Sequence, residues 1–228
     1  MNKEDYMKKN IFISIFVLFI LIFILCVVKN ISKISKEEMQ NFIKESKTSS
    51  NMEILADFVD FSNGEEKKYS YNSYLKDNVQ YIKGIDKEGN EYQNIYNYNN
   101  SEKISIIPKE KVITKTKITQ NNFSNGLFVS EYDLIYSLTD YNYRYLKKTI
   151  INNSQCYKFA LSKQIDDNSQ EQYIFYINIE NHNIVKCEML LNNKVILESN
   201  YKYIYDKVKD NDILSIDDEK FADYKIIE

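Results

Sequence analysis

Hydrophobic positions along the chain fall into an unbroken apolar run, short stripes of helical spacing, and a long stretch that alternates residue by residue. The run is IFISIFVLFILIFILCVV, from Ile11 to Val28, and it carries no charge. As a helix it is roughly 27 Å long at about 1.5 Å per residue, close to the ~30 Å of a bilayer core. The pattern predicts a transmembrane anchor over 11–28, a short cytoplasmic tail over 1–10, a linker over 29–33 and an extracytoplasmic domain over 34–228. A cleaved signal peptide and lipid attachment at Cys26 are the competing readings. No A-x-A-like site follows Val28, and Leu25 stands where a lipoprotein signal needs a small residue. Lysines flank the run on both sides, so charge bias leaves orientation tied; retention of the short tail places the domain outside the cell membrane.

Beyond the linker, Ser35 and Glu38 form a capping box, with Ile34 and Met39 as a hydrophobic staple. Met39, Phe42 and Ile43 then give the stripe of a short amphipathic helix running to about Lys47. From Met52 the period changes to two: Met52, Ile54, Ala56 and Phe58 alternate with Glu53, Leu55, Asp57 and Val59. Strands follow over 67–76, 79–86, 91–98, 102–107 and 111–118, separated by turn residues such as Asp77-Asn78 and Glu88-Gly89-Asn90. The alternation breaks once. Ser130 and Asp133 repeat the capping pattern, and Leu134, Ile135 and Leu138 form an apolar stripe, predicting a second helix over 131–139. Strands resume over 143–151, 155–163, 171–179, 183–191 and 194–205, with turns at Asn152-Asn153 and Asn192-Asn193. The sum is an α+β chain: a transmembrane helix, then a strongly curved antiparallel sheet of about eleven strands, a half-barrel with short helices on its concave face.

Composition narrows the function classes. With 30 Lys+Arg against 33 Asp+Glu the formal charge is -3, the wrong sign for a nucleic-acid platform. The single histidine, His182, lies in a polar turn and reads as solvated, and no close cysteine pair accompanies it, so metal and cofactor sites lack ligands. Cys156 and Cys187 fall on strands separated by a third, too far apart for a disulfide. Paired-acid catalysis stays open only if distant carboxylates meet in the fold. The 20 tyrosines recur along neighbouring strands, where cross-strand packing competes with a ring-lined binding surface.

In order and spacing, the chain resembles the LolA/LolB-like lipoprotein-carrier superfamily over roughly residues 34–225. The opening helix, the meander from Met52 to Ile107 and the helical interruption carry the resemblance. So do the late hairpin Tyr176–Val185, the strand Leu190–Tyr201 and the closing segment from Asp212-Ile213 to Phe221. The Asn/Ile/Lys/Tyr-rich usage resembles the GerS-type spore-germination branch of that superfamily. Around Lys76–Tyr81, where carriers often show a proline turn followed by an arginine associated with cargo, the sequence has no proline, and Tyr81 stands at the arginine position. The resemblance implies a non-enzymatic, membrane-anchored adaptor for an envelope or spore-cortex protein such as an amidase. A membrane-fixed acceptor of lipid or lipoprotein and an envelope-stress sensor are its rivals. Binding is expected at a sheet edge or in a groove lined by Ile54, Phe58, Tyr69 and Tyr71, with Tyr81, Leu134, Ile135 and Leu138 as further contacts for a partner or acyl chain.

Overall fold

The computed structural model describes residues 34–46, 49–118, 140–216 and 219–227. The expected transmembrane helix, Cys26, and the second helix with Leu134, Ile135 and Leu138 lie outside these residues. The chain divides into two compact units, 1–39 and 40–228. Of the first, the described part is the helix start. There Ser35 N–H donates to Glu38 Oε2 at 2.7 Å and Glu38 N–H donates to Ser35 Oγ at 3.1 Å, the reciprocal capping box the sequence announced. Helix α1 runs Lys36–Lys44, with Glu37 and Glu38 in its first turn and Lys44 in its last, each charge placed to suit the helix dipole.

The second unit contains one open sheet. In chain order its strands are β1 Asn51–Asp60, β2 Lys67–Lys76, β3 Val79–Ile85, β4 Glu91–Asn97, β5 Glu102–Ile107, β6 Val112–Lys117, β7 Asn142–Ile151, β8 Ser154–Asp166, β9 Ser169–Asn178, β10 Ile184–Leu191, β11 Lys194–Tyr205 and β12 Lys225–Ile227. Their spatial order is β12-β6-β5-β4-β3-β2-β1-β11-β10-β9-β8-β7. Two meanders therefore meet where β1 pairs β11. The expected eleven strands become twelve, because Lys225–Ile227 adds to β6 in parallel. So the sheet is not wholly antiparallel. A three-residue strand is too short to show a period, which is why the sequence pattern missed it.

Gly64 and Gly89 turn two of the hairpins at positive φ, but a chain with 4 Gly and 1 Pro makes three others without either residue. It uses asparagine and aspartate. Asp77 and Asn78 have φ of 50° and 63°, Asn152 and Asn153 49° and 64°, Asn192 and Asn193 51° and 63°. Positive φ at both central residues is what a type I′ turn requires, and Asn and Asp tolerate that region best among residues with a Cβ. Gly84 answers a different need. A Cβ there would stand 2.5 Å from the Ser70 carbonyl oxygen and 2.8 Å from the Tyr92 ring, so the ring lies directly over the glycine.

Alternation sorts side chains onto two faces, and register carries the assignment across strands. The first face holds Met52, Ile54, Ala56 and Phe58, all buried on β1. The second holds Tyr81, Ile95, Ile104, Ile106 and Ile113, covered by Phe221 together with Ile213, Leu214, Ile216 and Tyr224 of the C-terminal segment. Each face thus has its own apolar core.

Asn153→Ala is expected to lower stability by about 1 kcal/mol, because alanine lacks asparagine's tolerance of the left-handed region, while Asn153→Gly leaves it equal or higher. Urea unfolding midpoints of the two variants against the parent check this.

Candidate functional site

Four of the candidate residues share the first face. Phe58 stands opposite Tyr69, Ala56 opposite Tyr71, and Ile54 two residues further on opposite Ser73. The Phe58 and Tyr69 rings stack with centroids 4.7 Å apart and planes 2° off parallel. Tyr71 lies 5.7 Å from Phe58, and Tyr201 approaches it edge-on at 6.0 Å. Tyr81 does not belong with them. It pairs with Tyr74 on β2 and Ile95 on β4, and Tyr74 stands opposite Glu53, one step out of phase with Ile54. Its ring is buried in the second-face core, and its hydroxyl donates to Gln93 Oε1 at 3.0 Å. Burial pushes the phenol up to about 12, with a smaller contribution from Tyr74, so it remains a neutral structural donor.

The first face extends well past the residues singled out from sequence. Register links Tyr69 and Phe58 to Ser199 on β11, Cys187 on β10, Phe175 on β9, Phe159 on β8 and Tyr145 on β7, a single row from β2 to the β7 edge. Phe159 and Phe175 stack at 5.1 Å, and Tyr143 and Tyr173 flank them at 5.8 Å and 6.2 Å. Two ring clusters therefore bracket a stretch whose buried side chains, Ser199 and Cys187, are small. Small residues between aromatic walls make a lower floor. The alternation of Tyr157, Phe159 and Leu161, and of Tyr173, Phe175 and Ile177, is visible in the sequence. The β1–β11 pairing that joins both runs to Phe58 is not.

His182 corrects an expectation. It is not a solvated turn residue: its side chain is 21% exposed, and its ring stacks on Phe42 of α1 at 3.7 Å. Phe42 also meets Tyr157 edge-on at 5.2 Å, and Ser46 Oγ donates to the His182 carbonyl at 2.8 Å. The imidazole is thus a packing surface for the helix, with Nδ1 buried 3.8 Å from a Glu45 carboxylate oxygen. Cys156 and Cys187 lie on strands separated by β9, as expected, and point to opposite faces, Cys187 sharing the row of Phe159 three residues from Cys156. They cannot bridge one another.

Carboxylates do meet in the fold. Glu188 and Glu198 stand directly opposite on β10 and β11, on the second face, with Lys186 Nζ 3.0 Å from one and 2.9 Å from the other. Tyr176 donates to Glu188 at 3.1 Å and Asn200 to Glu198 at 3.0 Å. The Asn200 bond, then Lys186, hold Glu198 below the usual carboxylate range against the opposing effect of burial. A general acid needs the reverse shift, so Glu198 is placed to stay ionised beside Lys186. Among the described residues, no group of three His, Cys, Asp or Glu side chains is placed to hold a metal ion.

No family model and no curated relative matches the chain. Among solved structures it is similar to an uncharacterized conserved protein from Thermus thermophilus, at 9% identity and a TM-score of 0.46 over 84% of this chain and 97% of that one. It is similar to the lipoprotein LppX of Mycobacterium tuberculosis, at 10% identity and a TM-score of 0.45 over 77% of this chain and 99% of that one. A LolA superfamily protein from Nitrosomonas europaea is similar at 11% identity and a TM-score of 0.35, over 78% of this chain and 96% of that one. No side-chain role is carried over from these proteins.

Because the folded pKa of Glu198 lies below its unfolded value, its contribution to stability is present above about pH 4.3 and is lost as pH falls through the folded value. Glu198→Gln is expected to lose less stability than the parent between about pH 5 and 3. Urea midpoints measured across that range check the difference in slope.

Proposed function

We propose that this chain is a non-catalytic binding domain, held at a membrane by the 11–28 segment, that takes an extended apolar segment of a partner protein on its first face. The carrying observation is the row from Tyr69 through Phe58, Ser199, Cys187, Phe175 and Phe159 to Tyr145, buried along its middle and half-exposed at Tyr69 and Tyr145 and at the neighbouring Tyr71, where a partner would meet it. Rings provide large contact areas at low conformational cost, and the tyrosine hydroxyls offer hydrogen bonds at the border of an apolar surface. Open sheets of more than about ten strands tend to curl, which favours a concave surface of the half-barrel kind the sequence pattern suggests. The face is a better candidate than the edges. Edge strand β7 carries Arg144, Lys147 and Lys148 without an acidic residue and has a bulge at Tyr145/Lys147, and edge strand β12 has three residues. Basic side chains, bulges and short length all discourage strand addition.

The adaptor role fits an envelope protein anchored outside the cell membrane. A spore-cortex partner such as an amidase rests on the sequence resemblance alone. A second reading, a membrane-fixed acceptor of lipid or lipoprotein, draws on the same ring-lined face, which suits an acyl chain as well as an apolar peptide. Envelope-stress sensing is a special case of partner binding in which the bound segment belongs to a regulator.

Photo-cross-linking distinguishes these readings. A benzophenone amino acid replaces Tyr71 on the first face or Asn72 on the second, in the full chain in its native membrane. Adducts are expected from position 71 and not from 72; a protein adduct supports the adaptor and a lipid adduct the acceptor. Adducts from 72 alone contradict both.

A further inference from the structure

The second face carries a cavity of about 380 Å³ that the aromatic row does not reach. Its floor is Val79, Ile95 and Ile104 of the sheet, and its other wall is Ile213, Leu214 and Ile216 of the C-terminal segment. Both walls belong to the second unit, and register places the floor residues on the Tyr81 side of the sheet. The volume falls in the range of small-ligand sites, yet the interior offers aliphatic side chains rather than converging polar groups. The polar lining residues are Lys76, Asp77, Asn97, Glu102, Asp210 and Ser215. Lys76 is bound to Asp210, so the one rim cation is already matched by a carboxylate. Asp77 also lies in the field of Lys76, and Glu102 accepts a hydrogen bond from Asn100 at 3.1 Å, yet carboxylates outnumber cations three to one among the lining residues. Lys117, opposite Glu102 on β6, does not line the cavity.

An aliphatic interior under a rim with surplus carboxylate suits one chemistry. We propose that this cavity is a second docking site, for an aliphatic side chain of a basic peptide segment, with Asp77 and Glu102 receiving lysine or arginine residues that flank the anchor. The apolar side chain displaces water from between the β-sheet floor and Leu214, and the flanking cations meet the carboxylates at the solvent border. Exposed pairs of this kind set orientation and salt dependence more than affinity, so most of the binding comes from the anchor. The site is independent of the first-face reading, because the two surfaces lie on opposite sides of the sheet and share no side chain.

The test uses the full chain reconstituted in phosphatidylcholine nanodiscs and a fluorescein-labelled peptide, Lys-Lys-Leu-Leu-Lys-Lys, followed by anisotropy. Saturable binding that weakens with salt is expected, and none for Glu-Glu-Leu-Leu-Glu-Glu. The double variant Asp77→Asn/Glu102→Gln, at a left-handed position asparagine tolerates and a half-buried one, is expected to bind about fivefold more weakly with a flattened salt dependence. Leu214→Ala is expected to weaken binding about tenfold while keeping the salt dependence. Unchanged circular dichroism and melting of each variant separate loss of the site from loss of the fold. The proposal is overturned if the double variant, still folded, binds as the parent does, if the acidic peptide binds equally, or if the parent binds neither peptide. Cross-linking from Tyr71 is unaffected by any of these outcomes.

Discussion

The register of β1 against its two neighbours is the constraint on which the rest of the structure depends. β1 is the seam between two meanders, paired with β2 on one side and β11 on the other. A slip of one residue on either side would send every side chain of a meander to the opposite face. The stack of Phe58 on Tyr69 and the edge-on approach of Tyr201 fix that register from both sides, with Met52, Ile54 and Ala56 buried along the same strand. Once β1 is set, the hairpins on each side propagate the assignment, since their asparagine-rich turns allow little freedom in pairing.

From this seam follow two surfaces of different chemistry. The first face is a row of rings with small residues at its centre. The second is divided: over β2–β6 it is aliphatic and covered by the C-terminal segment, and over β9–β11 it carries the Lys186–Glu188–Glu198 cluster. The one histidine supports a helix, and the opposed carboxylates Glu188 and Glu198 share a single lysine.

Much of the fold was legible from local pattern. The capping box at Ser35 and Glu38, the period-two alternation and the Asn-Asn turns each have a mechanism that acts within a few residues, and each appears where the sequence places it. The candidate site was legible only in part. Ile54, Phe58, Tyr69 and Tyr71 were found together because β1 and β2 are joined by a short hairpin, so their facing is a local property. Tyr81 was grouped with them through a family resemblance, yet it sits on β3 one step out of phase, facing Ile95. Phe159 and Phe175 were missed for the opposite reason: the pairing of β1 with β11, distant in sequence, leaves no signature in a single chain. His182 was misread because a polar turn gives no sign that Phe42, far away in sequence, will stack on it.

The central claim is that β1 places Phe58, Ala56 and Ile54 on the same side as Tyr69 and Tyr71. Disulfide formation between introduced cysteines tests it most directly. Under mild oxidation of the full chain, the account predicts that Ala56→Cys/Tyr71→Cys cross-links, as mapped by mass spectrometry of proteolytic fragments, and that Ala56→Cys/Asn72→Cys does not. Efficient linkage of 56 to 72 with none of 56 to 71 would contradict it and reverse the two faces.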